Sequence, residues 1–572
     1  MKRRGDATMR IWGNRSRLLL LVFALIGCGL GARAFELQVL QHDFLLGQGQ
    51  ERQQRVVDVP AHRGMVLDRN GAPLAVSTPV DSVWAVPQEL LASKDQWSRL
   101  SAALDMPRAE LAARLAEASE REFVYLKRQV TPNEGTRIAQ LNVAGVHLQR
   151  EYRRYYPSGE VLGHLLGFTD IDDRGQEGLE LAFDAWLVGT PGQEHIVQDR
   201  RGQMIKRLQS VRATQPGRNL ILSVDKRLQY LAYRELKAAV QRHAAVSGSM
   251  IVLDVHSGEV LAMVNQPGFN PNDRGGFRNA ALRNRAVTDV FEPGSTMKTF
   301  TVAAALEQGR VTPLTSIDTA PGRMRVGQHM VRDRHNLGVL SVTDILRKSS
   351  NVGASRLALA VTPQALWSVF SRAGFGQTSG SAFPGEAAGS LADFSRWREI
   401  EQATMGFGYG LSATALQLVR AYAAIAAGGV LPEITFQKRT APAVGTRILS
   451  QRLSAALTEM LEAVTHEGGT GQRAAIPGYR VAGKTGTSKK STAGGYSDDR
   501  HMALFVGFAP VTAPRVAAVV IINEPAGEVY YGGQVAAPVF SKVIAGALRL
   551  LDVMPDDPSV FQAAGADTGD AA

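Results

Sequence analysis

One apolar segment near the N-terminus constrains this chain most, because it decides in which compartment the rest must fold. Leu18–Ala32 holds only apolar residues and glycine, and six Lys or Arg residues lie within residues 1–17. Fifteen helical residues, at about 1.5 Å each, fall short of a hydrocarbon core of about 30 Å. Extension to Leu37 closes the gap if Arg33 reaches the interface.

Two interpretations of this segment are open. A signal-anchor at residues 18–37 keeps the basic end, residues 1–17, in the cytoplasm and exports the rest. A cleaved signal peptide is the alternative, because Ala32-Arg33-Ala34 has the form of a cleavage site. The anchor is favoured, since an arginine is awkward inside such a site and the chain continues as a predicted helix. In both cases most of the chain is exported.

Composition excludes several classes of function. The single cysteine, Cys28, allows no intramolecular disulfide and no cysteine-rich metal site. The net charge is +11, but the basic residues are spread along the chain, so nucleic-acid binding is a poor interpretation. The sequence has no Walker loop, dinucleotide fingerprint or histidine pair at metal-binding spacing. We expect chemistry that needs neither a metal nor a cofactor.

A chain of 572 residues is too long for one core. After the basic tail and the membrane segment, we predict a mixed domain at 38–215, a larger domain at 216–554 and a disordered Asp-, Gly- and Ala-rich tail at 555–572. In the mixed domain, charged residues stand beside glycines at 63–71, 154–159 and 175–180. They predict buried or interfacial ion pairs that fix one domain against another, with ordinary polar turns as the alternative.

The larger domain shows strands at both ends and helices between them. The pattern predicts a helix over 226–242 and strands over 249–253, 260–264, 503–508 and 516–523. Such an order favours one sheet built from both ends of the domain and covered by helices. The fold class is therefore α+β.

The strongest chemical signal lies inside this domain. Pro293 and Gly294 interrupt regular secondary structure. The apolar run that follows, Thr296–Gln308, predicts a helix ended by Gly309. Ser295 would then lie at a helix N-terminus, which favours developing negative charge. Lys298 follows one turn later and, if burial keeps it neutral, can accept the serine proton. Alone the spacing is weak, because a serine cap followed by a solvated lysine looks the same.

Two further motifs follow in order, Ser349-x-Asn351 and Lys484-Thr485-Gly486. Ser349 can relay a proton toward a leaving nitrogen, and Asn351 can hold a substrate amide. The third motif reads as an edge strand, where Gly486 admits a peptide backbone and the lysine and threonine can bind a carboxylate. The backbone N–H groups of Ser295 and Thr487 would form an oxyanion hole.

With these three motifs in order, the chain resembles the class B penicillin-binding proteins, and most of all their FtsI type. The resemblance covers nearly the whole chain and includes residues 382–386 and 529–533. It implies an N-terminal pedestal and a transpeptidase domain with an antiparallel sheet flanked by helices. It also implies that Tyr530 and Tyr531 line the β-lactam pocket, and we assign Tyr409, from the glycine-rich stretch 406–412, to substrate binding.

The resemblance further implies substrates and partners. The donor would be a peptidoglycan stem peptide ending in D-Ala-D-Ala, and the acceptor an amine, expected on diaminopimelate, of a neighbouring stem. β-Lactams would trap Ser295 as an ester. The expected setting is septal wall synthesis at the bacterial inner membrane, with a periplasmic catalytic domain and an FtsW-like SEDS glycan polymerase among its divisome partners.

Three rival functions share part of this pattern. A serine β-lactamase has the same motifs but would be shorter and soluble. A DD-carboxypeptidase would use water as the acceptor and usually lacks such a pedestal. A β-lactam sensor or scaffold needs an idle site or a cytoplasmic signalling domain, which seventeen residues cannot supply.

Overall fold

The computed structural model describes residues 5–45, 54–198, 204–273, 275, 279–441, 444–492 and 495–557. Parts of the predicted basic tail and most of the predicted C-terminal tail lie outside these residues. Contacts divide the chain into one unit of residues 1–62, 79–152 and 189–216 and a second of residues 63–78, 153–188 and 217–572. Segments of the two units therefore alternate along the sequence up to Pro216, next to the predicted boundary, and all later residues belong to the second unit. The predicted domain bounds themselves stay a prediction.

The N-terminal segment forms a helix from Gly5 to Phe35, followed by a short π-helix, Glu36–Leu40. The 24 residues Arg17–Leu40 are long and apolar enough to cross a membrane. Their leucine side chains, except that of Leu37, are exposed, as lipid-facing side chains would be. This helix fits membrane anchoring.

The first unit combines short sheets with amphipathic helices. Strand Gln54–Val59 pairs antiparallel with Gly192–Gln198, which pairs in turn with Met204–Arg212. Residues Asp81–Ala85 pair with strand Val124–Val130. A small hydrophobic core, to which leucines at helical spacing contribute, lies beneath helices Pro87–Ala92, Trp97–Leu104, Arg108–Glu117 and Pro132–Gln140.

The second unit is built on a five-stranded antiparallel sheet, which confirms the predicted fold class. Its strands, in chain order, are β1 (Ser247–Asp254), β2 (Val260–Gln266), β3 (Ala482–Thr492), β4 (Gly495–Ala509) and β5 (Val516–Asn523). Their order in the sheet is β2-β1-β5-β4-β3. Strands from the two ends of the domain therefore pair directly, β1 with β5.

Both faces of this sheet are buried, because alternate residues of each strand enter different cores. Ile251 and Leu253 belong to one core, whereas Met250 and Val252 belong to the other. The second core is covered by helices Lys226–Arg242 and Ala537–Leu550. The first core is covered by seven of the described helices, two of which begin at the motif residues Lys298 and Asn351: Lys298–Glu307, Val342–Lys348, Asn351–Ala360, Pro363–Arg372, Glu399–Met405, Ala415–Ala426 and Gln451–Glu462.

The charged motifs at 63–71, 154–159 and 175–180 do form a buried network. Arg63 bonds Glu180 at 2.7 Å and Asp184 at 2.6 Å, and Arg154 bonds the other Glu180 oxygen at 2.6 Å. The prediction of buried ion pairs is confirmed, but the expectation that they fix one domain against another is not. All of these residues belong to the second unit, so the network is internal to it and does not join the two units.

Candidate active site

Ser295 lies in a tight turn that a glycine loop supports. Gly294–Met297 is a 3-10 helix, and the α-helix proper begins only at Lys298. The predicted helix start is therefore wrong by two residues, because Gly294 takes a left-handed backbone (φ +54°) and the turn is tighter. Gly294 N–H donates to the Gly408 carbonyl at 3.1 Å, and a Cβ on Gly408 would lie 2.0 Å from Gly294 O.

The amine of Lys298 lies at the centre of the site. Its Nζ is 3.1 Å from Ser295 Oγ, 2.7 Å from Asn351 Oδ1 and 3.2 Å from Ser349 Oγ. A fourth contact, at 2.6 Å, goes to the Ser349 carbonyl. The first two motifs therefore meet at one nitrogen, as their predicted roles require.

A second amine, that of Lys484, also contacts the Ser349 hydroxyl. Lys484 Nζ lies 3.0 Å from Ser349 Oγ, so the Ser349 hydroxyl stands between two lysines. The side chains of both lysines are fully buried. Their described contacts are all to hydroxyl, amide or carbonyl oxygens, none of which carries a compensating negative charge.

Burial without a carboxylate partner makes both amines weakly basic. Burial, with the nearby Lys484 adding repulsion, holds the pKa of Lys298 well below its usual value, although Asp333 works against this. Burial lowers the pKa of Lys484 to about 7. A neutral amine 3.1 Å from a serine hydroxyl can act as a general base, which removes the main objection to a lysine in this role.

Asp333 is a residue of the candidate site that sequence reasoning missed. Its carboxylate accepts hydrogen bonds from Ser350 Oγ at 2.6 Å and from the backbone N–H groups of Asn351 and Val352 at 2.5 and 3.1 Å. It thus caps helix Asn351–Ala360 and holds Asn351 against Lys298. No motif marks an aspartate in this position, so only the folded chain reveals it.

The Lys484–Gly486 motif lies on β3, which is the edge strand of the sheet as predicted. The hydroxyl of Thr485 donates to Thr470 at 2.9 Å, and Gly532 N–H donates to Thr487 Oγ1 at 3.0 Å. A Cβ on Gly486 would come within 2.7 Å of a Leu504 methyl carbon. That glycine therefore permits close packing inside the protein, which the sequence interpretation did not foresee.

A cavity of about 660 Å³ opens over these groups. Predicted site residues that line it are Ser295, Ser349, Asn351, Tyr409, Thr485, Thr487, Tyr530 and Tyr531. Lys298, Lys484 and Gly486 do not line it, since their side-chain positions are covered by the residues that do.

Aromatic and cationic side chains form the rim. The hydroxyls of Tyr530 and Tyr531 are 2.7 Å apart. His501 stacks on Tyr530 with ring centroids 4.0 Å apart, and the Arg334 guanidinium lies 3.9 Å from the Tyr531 ring centre. Sequence reasoning found the tyrosines but neither His501 nor Arg334, which pack on them. Burial lowers the pKa of His501, so Arg334 is the cation of these two. A rim of this kind suits an acylated peptide with carboxylates.

Two family models match successive parts of the chain. The penicillin-binding protein dimerisation domain matches residues 58–222, and the penicillin binding protein transpeptidase domain matches residues 248–545. The second match contains all three motifs. The two matches together span most of the chain.

Similar proteins agree with these matches. The peptidoglycan D,D-transpeptidase FtsI of Escherichia coli K12 is 44% identical over 546 residues, which cover 93% of this chain and 92% of that protein. The probable peptidoglycan D,D-transpeptidase PenA of Neisseria meningitidis is 42% identical over 549 residues, 95% of this chain and 94% of that protein. The apo transpeptidase domain of penicillin-binding protein 3 from Burkholderia pseudomallei, 43% identical, superposes with a TM-score of 0.55 over 59% of this chain and 98% of that one.

Proposed function

Because this chain belongs to the FtsI-like class B penicillin-binding proteins, which are serine-type peptidoglycan D,D-transpeptidases, we propose that it cross-links stem peptides through an acyl-enzyme on Ser295. One observation carries the assignment of residues. A buried, unpaired amine, Lys298 Nζ, lies 3.1 Å from Ser295 Oγ and shares the Ser349 hydroxyl with Lys484.

In the first half-reaction Ser295 Oγ attacks the carbonyl carbon between the two terminal D-alanines. The C–O bond forms while the amide C–N bond breaks, and the Oγ proton passes to Lys298 Nζ. Ser349, in contact with both amines, relays a proton to the departing nitrogen, so D-alanine leaves as an amine. The negative charge on the carbonyl oxygen is stabilised by the backbone N–H groups of Ser295 and Thr487.

In the second half-reaction an amine of another stem peptide attacks the ester. The new C–N bond forms while the C–Oγ bond breaks. The proton that the amine loses travels back over Ser349 and Lys298 to Ser295 Oγ, which restores the free enzyme. Thr485, which lines the cavity next to the buried Lys484, binds the carboxylate beside the reacting amine.

The finer parts of the proposal follow from the FtsI relationship. The enzyme acts in septal wall synthesis, and β-lactams acylate Ser295 because they imitate the donor. Helix Arg17–Leu40 anchors it in the inner membrane with the catalytic unit in the periplasm. A SEDS-type, FtsW-like glycan polymerase and other divisome proteins are the proposed partners.

Mass spectrometry of the purified protein after addition of benzylpenicillin tests the residue assignment. We expect one adduct per chain on the Ser295 peptide, lasting from many minutes to hours, and no adduct with Ser295→Ala. Persistent labelling of the variant would overturn the assignment of the nucleophile. Rapid hydrolysis of the drug after a transient adduct would indicate a β-lactamase instead.

A further inference from the structure

The active-site cavity does not end at Thr485. A second cavity of about 330 Å³ adjoins it, and Arg473 and Gln534 line both. The loop that carries Arg473 begins at the residues beside Thr485, since Thr470 Oγ1 accepts the Thr485 hydroxyl hydrogen bond. A continuous path therefore leads from the third motif, past Arg473, into the second cavity.

Cations dominate this path. Arg473 is exposed between the two cavities, and Arg242 and Lys542 line the second one. Glu235 is the acidic residue among the lining side chains of the second cavity, and it is already paired with Arg234 and Lys542. Within the described residues neither Arg473 nor Arg242 forms an ion pair. Two uncompensated positive charges thus stand along the path.

The chemistry of the reaction determines which reactant enters from this end, and here the argument rests on the function proposed above. The carboxylate of the leaving D-alanine is bound at Thr485, which lines the cavity, so the leaving amine departs on that side of Ser295. The attacking amine must approach the ester from the position that the leaving amine vacated, because forward and reverse acyl transfer pass through the same geometry. The rest of the acceptor then extends beyond Thr485, toward Arg473.

We propose that this path is the acceptor subsite, that it selects an amine-bearing peptide with additional carboxylates, and that Arg473 is the specificity-determining residue. Its guanidinium binds a carboxylate of the acceptor next to the reacting centre. Arg242 binds a more distant one. The donor half-reaction does not involve either residue, since the only part of the donor on this side of the scissile bond is the terminal D-alanine, which ends at Thr485.

A two-acceptor experiment tests this with the full-length protein in detergent. The donor is a thioester of an N-acylated D-alanine. The two acceptor peptides carry the same amine and the same adjacent carboxylate, but one has two further free carboxylates and the other has them amidated. Apparent KM for each acceptor is measured together with the rate of acylation by benzylpenicillin.

We expect Arg473→Ala to raise KM about tenfold for the acidic acceptor, which corresponds to about 1.4 kcal/mol. KM for the amidated acceptor and acylation by benzylpenicillin should each stay within about twofold. Arg242→Ala should raise KM for the acidic acceptor less. The matched control is Arg452→Ala, since Arg452 is exposed on helix Gln451–Glu462 and lines neither cavity.

The possible outcomes distinguish failure of the acceptor subsite from failure of the proposed transpeptidase function. Equal loss with both acceptors, or no loss with either, overturns the acceptor subsite while the transpeptidase function stands. Wild-type protein that is acylated but transfers to neither peptide overturns the transferase function and this inference with it. Normal acylation of the variant shows that it is folded, so a raised KM reports on acceptor binding.

Discussion

The second unit contains two pairs of buried basic side chains, Arg63 with Arg154 and Lys298 with Lys484, and the two pairs differ in what they contact. The side chains of Arg63 and Arg154, 2% and 0% exposed, both bond Glu180. Lys298 and Lys484 are equally buried, but the groups they contact are uncharged. Burial alone is therefore not what distinguishes a structural cation from a reactive one.

The partner makes the difference. Burial disfavours the charge of Arg63, but Glu180 and Asp184 outweigh it, and the pKa of Arg63 is raised overall. Lys298 and Lys484 have no such carboxylate contact, and burial lowers the pKa of each. A buried charge with a carboxylate partner is stabilised in its charged form, whereas burial of an amine without such a partner favours its neutral, basic form.

The largest expected effect is on catalysis, after substitution of Lys298. Lys298→Ala should reduce the rate of acylation by benzylpenicillin on the order of a thousandfold, because it removes the proposed general base. Since no buried carboxylate loses its partner, the melting temperature should fall little. Stopped-flow acylation and thermal melting of the same sample measure both. Acylation at nearly the wild-type rate would show that another group takes the serine proton.

In the network of Arg63, Arg154 and Glu180, a substitution should lower stability and leave the acylation rate nearly unchanged. Glu180→Gln leaves two buried guanidinium groups without their shared carboxylate, so the free energy of unfolding should fall by about 3–5 kcal/mol. Denaturant unfolding measures this. The acylation rate of the folded fraction should change little, because the Glu180 carboxylate is bonded to Arg63 and Arg154, neither of which belongs to the three motifs.

The matched control for that variant is Glu160→Gln. Glu160 belongs to the same unit and pairs with Lys237, but both side chains are about two-fifths exposed. Its loss should cost at most about 1 kcal/mol. Equal costs for the two variants would contradict the view that the buried pair, and not ion pairing in general, stabilises the unit.

A smaller effect should appear in the pH dependence of stability. In the unfolded chain Lys484 keeps its proton up to a pH of about 10.4, whereas its folded pKa is about 7. Between these values the unfolded chain binds more protons, so the contribution of this group to stability rises with pH. Lys484→Met should therefore be more stable than wild type at pH 7, with an advantage that shrinks toward pH 10. Urea midpoints at several pH values measure it, and parallel curves would refute it.

The smallest effect concerns Asp333, the residue that positions Asn351. Asp333→Asn keeps the shape but weakens the helix cap, at about 1 kcal/mol. Acylation should fall about tenfold, because Asn351 Oδ1 is no longer held 2.7 Å from Lys298 Nζ. Comparison of the acylation rate with the melting temperature separates the two. A loss of stability with unchanged acylation would make Asp333 a purely structural cap.

Much of the second unit follows from local pattern. Helix 226–242 and strand 516–523 have the predicted bounds, because their apolar periodicity and end signals are unambiguous. The start of the serine helix was predicted wrongly. A proline and a left-handed glycine tighten that turn, and its support comes from Gly408, more than a hundred residues later.

The sequence by itself determined the membrane helix, the class of fold and the three motifs, since each depends on residues close together in the chain. Only the tertiary structure decided what makes the motifs reactive. The contact of Lys484 with Ser349 spans 135 residues, and the cap from Asp333 and the path past Arg473 also join separate segments. Burial and the presence or absence of a carboxylate partner set the basicity of each amine, and both are properties of the packed interior that no local pattern encodes.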